Sequence, residues 1–166
     1  MLFRSLRLGE EIGERADAEP SAALFIDLDR FKAVNDSSGH AAGDALLKNI
    51  AAILSGRARA HDTVARLGGD EFGVLLRGCE PRAAERIAAG ICERVAEYQL
   101  EWGHGERAQA LSVGASIGIV AIDGGFASVK DVLHAADEAC YEAKRAGRGT
   151  VRMYRRSAGS AEVVAE

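Results

Sequence analysis

The sequence predicts an α/β fold of the α+β kind, a single mixed, mainly antiparallel sheet of about five strands with helices packed over it. Three observations predict it. Apolar residues recur at helical spacing over 41–54, 82–98 and 132–143, the period of an amphipathic helix. Short apolar or alternating runs of strand length separate them, at 22–26, 63–67, 72–76, 111–120 and 150–154. The resulting order, α, β, α, β-hairpin, α, β, α, β, carries no internal repeat and fits one sheet covered by helices.

Residues 1–19 read as an amphipathic helix fragment, with Leu2, Phe3, Leu6 and Ile12 apolar and charges between them. Met1 opens directly on this pattern with no cap before it, so the chain is expected to start partway into a larger protein. Pro20 breaks the helix. The run 22–26 is that of a central strand buried on both faces. Asp27 and Asp29 follow at its C-terminal end, where ligand sites sit in open α/β sheets. The stretch 31–36 is expected as a helical turn or loop, and Ser37-Ser38-Gly39 as a break. Leu46, Leu47, Ile50, Ile53 and Leu54 define the next helix, closed by Gly56.

The runs 63–67 and 72–76 flank Gly68-Gly69-Asp70-Glu71 and read as strand, turn, strand. The glycines would supply the positive φ of a tight turn, with both carboxylates at its tip. Adjacent carboxylates repel unless a cation lies between them, so the tip is either a solvated turn or a metal–phosphate site. After a loop at 78–81, Ala84, Ile87, Ala88, Ile91 and Val95 share one helical face. Residues 102–105 read as a turn. Along 111–120, Val113, Ala115, Ile117 and Ile119 alternate with Ser112, Gly114, Ser116 and Gly118, a strand whose small-residue face admits a closely packed helix. That helix carries Val132, Leu133, Ala136, Ala139, Cys140 and Ala143 and ends at Gly147. A strand over 150–154 closes the domain. By this reading residues 1–155 are one domain and 156–166 a linker or exit helix toward a missing C-terminal domain.

Composition narrows the function. With 166 residues, 48 % hydrophobic and 28 % charged, the chain can bury a real core. Aromatics at 5 % and a net charge of −4 argue against a nucleic-acid-binding surface. Cys79, Cys92 and Cys140 form no metal-ligand spacing with each other or with the four histidines, and reduced, buried thiols in a cytoplasmic compartment are expected. No apolar run approaches the ~20 residues of a membrane span, so no direct membrane contact is expected.

Several familiar chemistries fail on inspection. Asp27-Leu28-Asp29 cannot open a calcium loop, because Phe31 and Lys32 stand where an oxygen ligand and glycine are needed. There is no P-loop. Gly114-Ala115-Ser116-Ile117-Gly118 has the letters of a nucleophile elbow but lies inside a strand. Asp27 and Asp70 remain: if the hairpin pairs beside the first strand, both carboxylates reach one sheet end, as a Mg²⁺–phosphate site requires, although Asp27 could equally end a strand in water. Lys144 and Arg148 flank the end of the last helix, where cations either complement the helix dipole or bind phosphate.

Together these residues resemble the GGDEF family of diguanylate cyclases. The signature stands as Gly68-Gly69-Asp70-Glu71-Phe72, and the block from Phe25 to Asp36, then Gly39-His40 and Gly43-Asp44, is similar to the family's second motif almost letter for letter. Ser116-Ile117-Gly118, Ala136-Asp137 and the run from Tyr141 to Arg148 match its later blocks, so the likeness covers about residues 2–154. The resemblance implies a nucleotidyl-cyclase or palm-like fold and condensation of two GTP into cyclic di-GMP with release of two pyrophosphates.

By the same resemblance, Asp27, the backbone carbonyl of Leu28 and Asp70 hold Mg²⁺ or Mn²⁺. Asp70 is also the family's acceptor for the proton of the attacking 3′-hydroxyl, and Glu71 adds charge at a second metal position. Asn35 and Asp44 would read the guanine edge with His40 and Phe31 nearby; a carboxylate can accept from guanine N1–H and N2–H₂ together. Gly68 and Gly69 would leave room for the triphosphate. Lys32, Lys144 and Arg148 would bind phosphate and offset charge in the transition state. Because each chain holds one GTP, the resemblance implies a two-fold homodimer. Arg59-Ala60-His61-Asp62 occupies the family's R-x-x-D position, a site where cyclic di-GMP inhibits; a surface ion pair would have the same pattern.

Two departures stand out. The family commonly carries a D-x-L-T-G-L-x-N-R segment ahead of its first helix, and this sequence begins just after it, so weak GTP binding or turnover is expected of the chain alone. Gly149 stands where the family commonly has Asn. The flanks, Gly73-Val74-Leu75-Leu76 with Cys79, Ala139-Cys140-Tyr141 and Arg152-Met153-Tyr154-Arg155, resemble GGDEF domains fused to an EAL phosphodiesterase, with a sensory module upstream. The alternatives are therefore an active cyclase, a GTP-binding regulator of a neighbouring phosphodiesterase, and a cyclic di-GMP receptor. Retention of Asp27, Asn35, Asp44, Asp70 and Glu71 favours the first.

Overall fold

The computed structural model describes residues 19–156. The helix expected over 1–19 and the linker expected over 156–166 lie outside the described residues, Glu19 and Arg156 excepted. In chain order the elements are β1 (Ser21–Asp29), α1 (Phe31–Ser38), α2 (His40–Arg57), β2 (Thr63–Arg66), β3 (Glu71–Leu76), α3 (Pro81–Glu97), β4 (Leu100–Trp102), β5 (Gln109–Leu111), β6 (Gly114–Ile122), α4 (Val129–Arg145) and β7 (Val151–Met153).

Five strands form the main sheet in the order β2-β3-β1-β6-β7. β1 runs antiparallel to both β3 and β6, β2 antiparallel to β3, and β7 parallel to β6. This is the mixed, mainly antiparallel five-stranded sheet that the sequence predicts. β1 sits at its centre, which is why its apolar residues run without a polar break.

The two-residue period of the strands divides the core into two layers. Ala22, Leu24, Ile26 and Leu28 of β1, Phe72 and Val74 of β3, and Ile117 and Ile119 of β6 pack with Leu46, Ile50 and Leu54 of α2 and with Ala88 and Ile91 of α3. The opposite face, with Ala23, Leu75, Val120 and Ile122, is covered by Val132, Ala135 and Ala136 of α4. The small-residue face expected on β6 serves this second layer. A Cβ added to Gly118 would collide with the carbonyl oxygen of Ala136 and the amide nitrogen of Cys140, so only glycine lets α4 lie this close. Ser128 caps α4, accepting the Asp131 N–H at 3.2 Å.

Several boundaries differ from expectation. Residues 31–36 belong to a full helix, α1, which ends at Gly39 with φ 86. Gly56 does not close α2: the helix runs on to Arg57 with Ala58 extended behind it. The expected turn at 102–105 includes the end of β4, which pairs antiparallel with β5 as a separate two-stranded sheet. The single strand expected over 111–120 is broken, β5 ending at Leu111 and β6 starting at Gly114. Alternation shows which face a residue takes but not where pairing is interrupted. Cys79, Cys92 and Cys140 are free and buried, as expected. Among the described residues no helix is long and apolar enough to cross a membrane.

Candidate active site

The site forms where β3 pairs with β1. Their register sets Asp27 directly across from Glu71. The Leu28 N–H donates to the carbonyl oxygen of Asp70 at 3.1 Å, so the signature turn is fastened to the C-terminal end of the central strand. Asp27, Leu28, Asp70 and Glu71, from two segments, therefore meet at one end of the sheet, as the sequence anticipates. Glu71 is the first residue of β3 rather than part of the tip.

The turn itself is built differently from expectation. The positive-φ glycines among the described residues include neither Gly68 nor Gly69. The Leu67 N–H donates to the Glu71 carbonyl at 2.9 Å, and the Arg66 guanidinium spans the loop. Its Nε donates to the Gly68 carbonyl at 3.0 Å and its Nη2 to the Gly69 carbonyl at 2.7 Å. A longer loop tied by a guanidinium needs no left-handed residue. A Cβ at Gly68 would stand 2.8 Å from Glu71 Oε2, the far end of a flexible side chain that can give way.

Lys144, in the last turn of α4, extends to Asp27 and donates from Nζ to Oδ2 at 2.5 Å. The two side chains are 33 % and 14 % exposed, so the pair is partly desolvated and its mutual attraction works against the cost of taking both charges out of water. Burial raises the Asp27 pKa, opposed by Lys144 and assisted by the charges of Asp70 and Asp29. Burial likewise raises Glu71, with Asp27, Asp70 and Asp137 adding to it. Burial alone would lower the Lys144 ammonium, but its bond to Asp27 outweighs this and its pKa stands above the ordinary value. This end of the sheet is thus a cluster of carboxylates held by one ammonium, and it favours any further cation.

Divalent metal suits this donor set in kind: carboxylates and a strand-end carbonyl are hard oxygen ligands. Among the described residues no three or more Asp, Glu, His or Cys converge as a ready-made cage. Two protein carboxylates supplemented by substrate phosphate is the arrangement Mg²⁺ commonly takes.

The expected base-reading residues lie on α1 and α2. Phe31 is buried, Asn35 half-buried, and Lys32, His40 and Asp44 exposed. A Cβ on Gly43 would collide with Asn35 Oδ1 and stand 3.1 Å from Phe31 Cζ, so the missing side chain at Gly43 is what lets Asn35 and Phe31 lie against α2. Asp44 lines a cleft of about 430 Å³ together with Leu47, Lys48, Val64, Arg66 and Phe72. Its volume is that of a small-molecule site. Arg66 joins this cleft to the signature turn.

Arg148 is exposed, just past α4, in a left-handed conformation with φ 66. Arg59 and Asp62 are brought together, but Asp62 turns inward. Its carboxylate is 2 % exposed and accepts the Arg59 N–H at 2.7 Å and the Arg77 N–H at 3.0 Å. Arg59 is the exposed member. Sequence reasoning named Gly43 only as part of a motif and gave no role to Arg66, at the end of the strand ahead of the signature; a glycine in the first turn of an apolar-periodic helix was the available signal.

The family described as "Diguanylate cyclase, GGDEF domain" matches residues 3–150. The chain is 49 % identical over 133 residues to "Probable diguanylate cyclase DgcE" of Escherichia coli, covering 80 % of this chain and 12 % of that protein. It is 41 % identical over 128 residues to "Bifunctional diguanylate cyclase/cyclic di-GMP phosphodiesterase MucR" of Pseudomonas aeruginosa, covering 76 % of this chain and 18 % of the other. The chain thus spans under a fifth of these curated relatives. The crystal structure of the GGDEF domain of TpbB from Pseudomonas aeruginosa superposes with a TM-score of 0.82 at 39 % identity, covering 94 % of this chain and 96 % of that one.

Proposed function

The chain belongs to the GGDEF family of diguanylate cyclase domains, and we propose on that premise that it condenses two GTP into cyclic di-GMP and two pyrophosphates at the interface of a two-fold homodimer. The observation that carries this reading is the β1–β3 register, which sets Glu71 opposite Asp27 and ties Asp70 to Leu28. Asp27, the Leu28 carbonyl and Asp70 would hold Mg²⁺ or Mn²⁺, which when bound neutralises triphosphate charge. Asp44 accepts from guanine N1–H and N2–H₂ and the Asn35 amide bonds to the same edge, with Phe31 and His40 beside it. Lys32, Lys144 and Arg148 take the phosphates, and Gly68 and Gly69 leave the turn open to them.

In the reaction, the 3′-hydroxyl oxygen of one nucleotide bonds to the α-phosphorus of the other as the bond to pyrophosphate breaks. The hydroxyl proton passes to the Asp70 carboxylate. Two chains face each other so that each hydroxyl meets the other's phosphorus, and this approach supplies much of the rate. Cyclic di-GMP binds back at Arg59, whose loop Asp62 shapes through its two backbone hydrogen bonds. In the cell the domain acts from the cytoplasm, joined to sensory and EAL modules; MucR is a relative whose name carries both activities.

The test is incubation with GTP and Mg²⁺ followed by nucleotide separation. Cyclic di-GMP and pyrophosphate are expected from the wild type, and about a hundredfold less or none from Asp70→Asn. Undiminished turnover by Asp70→Asn, or no product at any protein concentration from a wild-type chain extended to include the segment expected ahead of residue 1, overturns the cyclase reading.

A further inference from the structure

β1 delivers two carboxylates to the same sheet face, Asp27 and, one pleat further on, Asp29. Asp29 is only 7 % exposed. Its Oδ1 accepts the Ser116 hydroxyl from β6 at 2.6 Å, and its Oδ2 accepts the Gly149 N–H from the turn after α4 at 2.9 Å. A Cβ on Gly114, its cross-strand neighbour, would stand 3.0 Å from Oδ2, so β6 leaves space for this carboxylate. Both oxygens are taken by fixed donors, which leaves Asp29 poorly placed to ligate metal.

The Gly149 bond falls where the backbone is least ordinary. Gly147, Arg148 and Gly149 have φ of 114, 66 and 57, three successive residues on the positive side. An arginine adopts that conformation only at a cost and needs its surroundings to hold it. On its helix side the turn is wrapped onto α4 by the Arg148 N–H to the Ala143 carbonyl at 3.2 Å. On its far side the Thr150 carbonyl accepts the Ile117 N–H at 3.0 Å as β7 begins. Between these two anchors, the bond from Gly149 to Asp29 is what draws the turn against the end of β1. Gly149 is itself left-handed, a conformation asparagine also tolerates, so the departure from the family's common Asn preserves the backbone here.

We infer that Asp29 is a positioning residue for the triphosphate: with Ser116 it holds the Gly149 N–H and thereby fixes the turn that sets Arg148 beside the metal-binding end of β1. The identity of the phosphate rests on the cyclase reading; the tether does not. β1 thus positions both ends of the phosphate site, Asp27 through Lys144 and Asp29 through the turn bearing Arg148.

Two measurements separate these layers. Hydrogen exchange by NMR reads the tether without nucleotide: in Asp29→Ala the Gly149 amide is expected to exchange at least about tenfold faster while β1–β6 amides keep their protection. Asp29→Asn is expected to restore protection, since its Oδ1 can accept from Gly149 while its amide donates to the Ser116 oxygen. Binding reads the consequence. GTP is expected to bind Asp29→Ala about tenfold more weakly, with guanosine unchanged and Asn rescuing. Ser116→Ala, a small substitution compatible with the fold should Asp29→Ala not fold, is expected to weaken GTP about threefold with guanosine unchanged. Unchanged Gly149 exchange, or equal loss of GTP and guanosine, overturns the inference. Failure of the extended wild type to make product would instead overturn the cyclase reading and leave the exchange result decisive for the tether.

Discussion

Glu71 faces Asp27 across the β1–β3 ladder, and like charges directly opposite destabilise a sheet. Burial and the neighbouring carboxylates raise the Glu71 pKa above its ordinary 4.5, so the folded protein holds this proton more tightly than the unfolded chain does. A raised carboxylate pKa lowers stability as pH climbs from the unfolded value through the folded one, after which the penalty stays constant. Without metal, Glu71→Gln is therefore expected to melt at the same temperature as wild type at low pH and at a higher one at pH 7. Melting curves across pH check this, and a Glu71→Gln variant less stable at neutral pH would contradict it. Gly43 acts by absence. Gly43→Ala is expected to push Asn35 aside, weakening GTP about tenfold and reducing its preference over ATP, while Tm changes little. Calorimetric titration with a non-hydrolysable GTP analogue measures both. At this scale the sequence exposed Asp27, Asp70 and Glu71, because paired carboxylates at strand ends are conspicuous in any register. Asp29 and Gly43 were visible as residues and Arg66 was not singled out, but the role of each stayed hidden, because it depends on a partner that the fold supplies: Gly149, Asn35 and the turn carbonyls.

Among the elements, α4 connects packing to chemistry. It lies on β6 at a distance set by Gly118, and its last turn carries Lys144 to Asp27. Gly118→Ala places a methyl group against helix backbone, which cannot rotate away. A loss of about 3 kcal/mol or more is expected, seen as a Tm roughly 6–12 °C lower. GTP binding should weaken in parallel as Lys144 and Arg148 move out with the helix. A thermal melt with a nucleotide titration tests the pair, and an unaltered Tm would mean that α4 accommodates the group. The helices over 41–54, 82–98 and 132–143 and the strand pattern were legible because period alone reports which residues face a core. The break between β5 and β6, the small β4–β5 sheet and the full length of α1 were not, because a strand or a short helix ends where its hydrogen-bond partners end.

For the whole molecule, the proposed reaction needs two nucleotides while each chain is proposed to hold one, so a single chain would not close the two-fold symmetric product. Specific activity is expected to rise with protein concentration until the dimer saturates, with halving of dilute enzyme lowering the rate about fourfold. A specific activity independent of dilution would mean a preformed dimer or a different reaction scheme. The sequence by itself determined the fold class, the family and the chemical kind of the site, since element order, hydrophobic period and the types of residue at motif positions are local properties. Only the tertiary structure decided that Lys144 rests on Asp27, that Arg66 rather than a left-handed glycine shapes the turn, that Asp62 points inward and that Asp29 reaches Gly149. The Arg66 contacts are local, two or three positions along the chain, and depend on the shape the turn takes; Lys144 with Asp27 and Asp29 with Gly149 are 117 and 120 positions apart. Local propensity is indifferent to such pairs; strand register and helix packing bring them together.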